Sequence, residues 1–213
     1  MPLKSYEIRK CNSCGLRYPL PINDEHSPKT RCPACMGKTR LIFSQSLTTE
    51  IKHNLSEISS HKHKYSVLLD NIRSAWNAGS ILRSADGFGY SHAYMCGITP
   101  TPDNDAVKKT SLGSERSVTW TYHNDAVILA TDLRSRGWNI VALEDHEHSR
   151  QLTDVSKHKK EKPTLLIVGN ETTGVDNHLL DLCDEIYHIP MYGEKKSFNV
   201  AIAFSIASYA ITN

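Results

Sequence analysis

The sequence predicts an α/β protein, a mainly parallel β-sheet with helices on both faces, preceded by a small metal-stapled module. Three observations carry this. From Tyr65 onward, short apolar runs of strand length alternate with segments whose apolar residues recur at helical spacing, the order that builds parallel sheets. Several of these runs end in polar or glycine-bearing loops, which open α/β sheets place at the carboxyl ends of strands, where ligands bind. Ahead of them, two Cys-x2-Cys pairs occupy a stretch too short to build a core of its own.

The cysteine pairs are Cys11-Asn-Ser-Cys14 and Cys32-Pro-Ala-Cys35, with seventeen residues between the inner cysteines. Four thiolates satisfy tetrahedral Zn²⁺ with no open position, so the expected site is structural rather than catalytic. Disulfide pairing is the competing reading, and a reducing compartment argues against it. Gly15 and Gly37, one after each pair, are expected to supply the backbone freedom of the two knuckles. Residues 1–45 are therefore read as a zinc ribbon, 46–63 as a helical linker with a helix over Thr48–Ser59, and 64–213 as the main domain. Cys96 and Cys183 stand apart in apolar settings and are expected to be buried free thiols.

Within the main domain, Tyr65–Leu69 is a buried strand, and Asp70-Asn71 open a loop leading to a helix that begins near Asn77. His92–Ile98 and Val118–Tyr122 are the next strands, separated by the turn cluster Thr99-Pro-Thr-Pro-Asp103. Asn124-Asp125 cap a helix through Arg136, and Asn139–Leu143 and Thr164–Val168 are further strands. Asp176–Cys183 is a helix, Ile186–Ile189 a strand, and Asn199–Ile211 a last helix, apolar nearly all round. Such a helix needs cover on more than one side, which predicts a homodimer.

Bulk properties narrow the function. A chain of 213 residues, 39% apolar and 23% charged, has the composition of a globular protein with a sizeable core. No apolar run approaches the ~20 residues that span a bilayer, and Met1–Glu7 lacks a signal-peptide core, so no membrane association and a cytoplasmic location are expected. The formal charge of +2 does not announce a nucleic-acid binder. An RNA footprint must come from local clusters such as His61–Lys64, Lys157–Lys160, Lys195-Lys196, and Arg31 with Lys38 and Arg40.

Four stretches stand in order: Asn77-Ala-Gly79-Ser-Ile-Leu-Arg83, Gly169-Asn-Glu171-Thr-Thr-Gly174, Ile189-Pro-Met191, and Ser197-Phe-Asn199-Val. Over Tyr65–Ala210 this resembles the SPOUT methyltransferase superfamily, most closely its SpoU/TrmH class of RNA ribose 2′-O-methyltransferases. The resemblance implies a C-terminal deep trefoil knot forming a pocket for S-adenosylmethionine, and a dimer with the site near its interface. It implies cofactor contacts from Leu143, Gly169, Asn170, Glu171, Gly174, Ile189, Met191, Ser197 and Phe198, where Phe198 replaces the usual leucine or methionine. It makes Arg83 the central catalytic residue, with Asn77, Glu171, Ser197 and Asn199 beside it. Glu171 is expected to orient Arg83 or the RNA, and Asn77 and Ser197 have cap or turn roles as their plainer alternatives.

The expected reaction is methyl transfer to a ribose 2′-hydroxyl of tRNA or rRNA, with the ribbon extending the RNA grip or meeting a protein. Two other functions fit the same sequence: a non-catalytic binder of structured RNA, and base methylation on the same fold. Asp145-His-Glu-His148 reads as an exposed loop rather than a metal site, and the Gly169–Gly174 loop lacks the Gly-Lys-[Ser/Thr] of a phosphate-hydrolysing loop.

Overall fold

The computed structural model describes residues 5–22, 31–46, 65–155 and 162–212. The expected helix over Thr48–Ser59 and the basic clusters His61–Lys64 and Lys157–Lys160 lie outside these residues. The chain forms two compact units, Met1–Asn54 and Leu55–Asn213.

The first unit is a three-stranded antiparallel sheet of β1 (Ser5–Cys11), β2 (Arg17–Ile22) and β3 (Thr39–Ser46), in the order β2-β1-β3. Its two turns carry the cysteine pairs. The first turn uses Gly15 at φ 75°, as expected, but in the second the left-handed residue is Met36 at φ 60°. Gly37 is needed for room instead, because a Cβ there would lie 2.5 Å from Ser13 Oγ and 3.2 Å from Cys35 Sγ.

The second unit is built on a seven-stranded parallel sheet. Its elements in chain order are β4 (Tyr65–Asp70), α1 (Ala75–Gly87), β5 (His92–Cys96), α2 (Asp105–Ser111), β6 (Thr119–His123) and α3 (Ala126–Ser135), followed by β7 (Asn139–Leu143), β8 (Arg150–Gln151), β9 (Thr164–Val168), α4 (Asn177–Leu182), β10 (Glu185–His188) and α5 (Val200–Thr212). The strand order is β6-β5-β4-β9-β7-β10-β8. Because strand side chains alternate between faces, β4 sends Val67 and Leu69 into one core with Ile81, Leu82, Phe204 and Ala207 of α1 and α5. Leu68 enters a second core with Leu129, Leu133, Leu179 and Leu180 of α3 and α4. Helices thus cover both faces, as the alternating pattern predicts.

The topology places the functional loops. β5 and β6 extend the sheet to one side of β4, and β9 lies on the other. Residues after β4 and after β9 therefore emerge side by side, with Leu69 paired to Val168. This is a topological switch point of the kind that opens a ligand crevice in open α/β sheets.

Three local expectations are corrected. α1 begins at Ala75, not near Asn77, because the Ser74 hydroxyl caps it by accepting from the Asn77 amide; Asn77 is inside the first turn. β5 stops at Cys96, two residues early, where Gly97 turns at φ 60° against the Asn71 side chain. The segment after the Pro100–Pro102 turn contains α2, capped by the Asn104 side chain and ended by Leu112 at φ 52°. Cys96 is a buried free thiol as expected, and Cys183, also free, is half-buried with its thiol donating to the Leu179 carbonyl.

Candidate active site

At the carboxyl ends of β7, β9 and β10 lies a cavity of about 790 Å³, within the range of roughly 300–1,000 Å³ typical of small-molecule sites. All nine residues expected at the cofactor site line it: Leu143 ends β7, Gly169, Asn170, Glu171 and Gly174 form the loop after β9, and Ile189, Met191, Ser197 and Phe198 follow β10. Apolar Leu143, Ile189, Met191 and Phe198 suit a purine face, and the polar loop groups suit hydroxyl, amino and carboxylate groups. Size and donor set both fit S-adenosylmethionine.

The loop after β9 is held by its own hydrogen bonds. Asn170 and Gly174 exchange backbone bonds of 3.0 and 2.9 Å, while Asn170 Oδ1 accepts from the Thr172 and Thr173 amides. A Cβ at Gly169 would fall 2.3 Å from the backbone of Gly174 and Val175, so only glycine fits. The loop is also tied to its neighbours: Asn170 Nδ2 donates to the Asn71 carbonyl at 2.6 Å, and Val175 N donates to Glu144 Oε2 at 3.0 Å. Asp70, at the end of β4, accepts from the Asp176 amide and from Asn71 Nδ2. Burial outweighs those donors and holds the Asp70 carboxyl above its ordinary value.

Glu171 reaches across to α1. Its carboxylate accepts from the Arg73 amide at 2.9 Å, the Ser74 amide at 3.1 Å and Asn77 Nδ2 at 2.7 Å. Burial pushes its pKa up, but these donors win and leave it below the ordinary glutamate value. The network continues: Asn199 Nδ2 donates to Asn77 Oδ1 at 3.0 Å, and Asn199 Oδ1 accepts from the Ala201 amide at 3.0 Å, capping α5. Three motif stretches distant in sequence thus meet through Glu171, Asn77 and Asn199.

Two expected residues stand outside that network. Ser197 is an exposed part of the cavity wall. Arg83 is exposed on α1, and among the described residues its guanidinium makes no ion pair. No bond runs from Glu171 to Arg83; the three donors its carboxylate accepts from all lie at the start of α1. Glu144 and His188 of the cavity wall were not singled out by the sequence reading, because their places depend on β7 and β10 being neighbours.

In the N-terminal unit the four cysteine sulfurs lie within 4.8 Å of one another, with Cys11–Cys35 at 3.4 Å and Cys14–Cys32 at 3.7 Å. Thiolates about 2.3 Å from one tetrahedral ion stand roughly 3.8 Å apart, so the cluster fits Zn²⁺. The Cys14 and Ser13 amides donate to Cys11 Sγ and pull that thiol down to about 6. Such amide bonds also orient a metal thiolate.

Comparison with known proteins agrees with this geometry. Residues 64–209 match the SpoU rRNA Methylase family, and the chain belongs to that family. It is 32% identical over 140 residues to a tRNA (guanosine(18)-2′-O)-methyltransferase of Thermus thermophilus, covering 66% of this chain and 70% of the relative. A 23S rRNA (uridine(2479)-2′-O)-methyltransferase of Streptomyces viridochromogenes is 34% identical over 146 residues, covering 67% of this chain and half of the relative. Among solved structures, the SpoU methyltransferase AviRb of Streptomyces viridochromogenes in complex with AdoMet superposes with a TM-score of 0.63 at 25% identity, covering 83% of this chain and 68% of that one. The A. aeolicus TrmH/SpoU tRNA modifying enzyme gives a TM-score of 0.63 at 26% identity, over 74% of this chain and 82% of that one. Among the described residues no helix is long and apolar enough to cross a membrane.

Proposed function

We propose that this chain transfers a methyl group from S-adenosylmethionine to a ribose 2′-hydroxyl of tRNA or rRNA. The observation that carries the reading is the cavity whose wall holds all nine expected cofactor residues, tied through Glu171, Asn77 and Asn199 to the helix that carries Arg83. When bound, the cofactor supplies an electrophilic methyl group on a sulfonium. The chain's own work is alignment: the pinned loop after β9 and the segment after β10 hold one reactant, and the acceptor ribose must be brought in line with it. Arg83, fully available on α1, grips the phosphate next to that ribose and stabilises the oxygen as its proton leaves to a phosphate oxygen or to solvent. A guanidinium offers five N–H donors and no acceptor, which makes Arg83 unsuitable as the base.

We also propose a homodimer, because α5 buries Ala201, Phe204 and Ala207 yet leaves Ile202, Ile206 and Tyr209 exposed on its other face. These three border a second cavity of about 580 Å³ with Ser80 and Ser84 of α1, the helix of Arg83. The trefoil knot implied by the resemblance belongs to this proposal, with the segment between β10 and α5, which lines the cavity, as its expected threaded part. The ribbon binds RNA on this reading, since Lys10, Arg17, Arg31, Lys38 and Arg40 are all exposed.

The test is incubation of the purified protein with unmodified tRNA and rRNA transcripts and labelled S-adenosylmethionine, followed by nucleoside mass spectrometry. A 2′-O-methylated nucleoside is expected. A methylated base instead would move the acceptor atom, and the absence of both transfer and cofactor binding would leave an RNA-binding protein.

A further inference from the structure

His188 is the last residue of β10 and lines the cavity beside Glu144 and Asp145. Its register is set by β8, whose Gln151 pairs with it, and two residues before Gln151 stands Ser149. Ser149 Oγ lies 2.8 Å from His188 Nδ1, 2.6 Å from the His146 carbonyl oxygen and 3.3 Å from the His146 amide. A hydroxyl has one proton and two lone pairs. A carbonyl oxygen only accepts, so the short 2.6 Å contact requires the single Ser149 proton. The His146 amide only donates and takes one lone pair. What remains for His188 is the other lone pair, and therefore Nδ1 must carry a proton and donate it.

That fixes the ring. With its proton on Nδ1, the neutral imidazole has Nε2 as a bare acceptor, the tautomer being set by the bond the other nitrogen makes. The neighbouring wall residues Glu144 and Asp145 bring carboxylate oxygens, so this corner of the cavity is made of acceptors. An acceptor corner selects a ligand with N–H or O–H groups to give.

We infer that the Ser149–His188 pair is a positioning device for the cofactor, in which His188 Nε2 accepts a hydrogen bond from S-adenosylmethionine. This rests on the reading of the cavity as the cofactor site. The donor is either a ribose hydroxyl or the ammonium of the methionine part. Ser149 acts through His188: without its oxygen the proton is free to move to Nε2, which turns the acceptor into a donor facing a donor.

The experiment is calorimetry of the full-length protein with S-adenosylmethionine and with methylthioadenosine, at pH 8, together with long-range proton–nitrogen NMR of the histidine rings. Wild type is expected to show His188 with its proton on Nδ1, and Ser149→Ala to move it to Nε2. His188→Phe and Ser149→Ala should each raise the cofactor Kd by about tenfold, the upper end of one neutral hydrogen bond. His188→Gln, whose amide oxygen can replace Nε2, should stay within about threefold of wild type. Equal losses for methylthioadenosine, which lacks the amino-acid part, assign the donor to the ribose; a loss confined to the full cofactor assigns it to the ammonium. Unchanged cofactor affinity in a folded His188→Phe protein, or an Nε2-protonated ring in wild type, would overturn the inference while leaving the cofactor site standing. Failure of wild type to bind the cofactor would instead overturn the reading of the site itself.

Discussion

Glu171 gathers three donors around the start of α1 with a single carboxylate, the Arg73 and Ser74 amides just ahead of the helix and Asn77 in its first turn, and its position shows why a motif residue can act on the site without touching the reacting atoms. Because its pKa is lowered in the folded state, its stabilising effect is present above the ordinary glutamate pKa of about 4.3 and is lost as the pH falls through the lower folded value. Thermal melts of wild type and Glu171→Gln should therefore differ at pH 7 and draw together progressively as the pH falls below about 4.3; a gap unchanged down to pH 3 would show that the charge contributes nothing. Arg83 has the opposite character, exposed and absent from the cavity wall. Arg83→Ala should lower kcat at least a hundredfold, about 2.7 kcal/mol of transition-state stabilisation, with cofactor affinity unchanged. Retained turnover would remove Arg83 from the chemistry. Gly79 explains another motif position by packing alone. A Cβ there would fall 1.9 Å from Thr110 Oγ1 and 2.4 Å from the Val107 carbonyl oxygen, so α1 and α2 could not approach as they do. Gly79→Ala should destabilise by about 1–3 kcal/mol in a denaturant titration, whereas Gly87→Ala, with open space around it, should not.

At the scale of elements, legibility follows burial. β9 and β7 were readable to the residue because Thr164–Val168 is wholly buried and bounded by Pro163 and Gly169, and Asn139–Leu143 is bounded by a turn and a carboxylate. α3 is readable from its aspartate cap Asp125, and α4 falls within the helix expected over Asp176–Cys183, with Asp176 standing as its cap rather than its first residue. α2 was not, since its seven residues bury only Val107 and Ser111 and show no apolar period. β3 was invisible for a related reason: all but its first residue is exposed, so no alternation marks it. The candidate site divides in the same way. Its loop residues carry a family pattern, while Glu144, Ser149 and His188 become a site only through the β7–β10–β8 adjacency. The ribbon shows the limit of burial as a stabiliser, since Leu41, Ile42 and Phe43 remain exposed on β3. Zinc must supply the missing folding energy, on the order of 10 kcal/mol. A strong chelator should collapse the amide NMR dispersion of residues 5–22 and 31–46 while leaving that of β4–β10 in place; a ribbon that keeps its dispersion without metal would refute a zinc-dependent fold.

For the whole molecule, charge and surface decide how a nearly neutral chain could hold RNA. A formal charge of +2 gives no general attraction, and four thiolates around one Zn²⁺ lower it further. Affinity must then come from discrete phosphate contacts, each releasing counterions and steepening the salt dependence. The ribbon concentrates exposed cations, with Arg31 and Lys38 brought together by their bridge and Arg40 nearby on β3. The exposed α5 face carries no charge, with Ile202, Ile206 and Tyr209 along it, and suits a second copy of the chain rather than RNA. These two surfaces make separable predictions. In the proposed dimer, wild type should sediment as two copies and Ile206→Glu as one, with zinc content unchanged; a monomeric wild type would refute the dimer. Lys38→Ala with Arg40→Ala should leave the dimer and cofactor binding intact, weaken RNA binding, and lower the slope of log K against log salt by roughly 1.4 to 1.8 if both contact phosphates. An unchanged slope in the double variant would place the RNA elsewhere and turn the ribbon toward a protein partner.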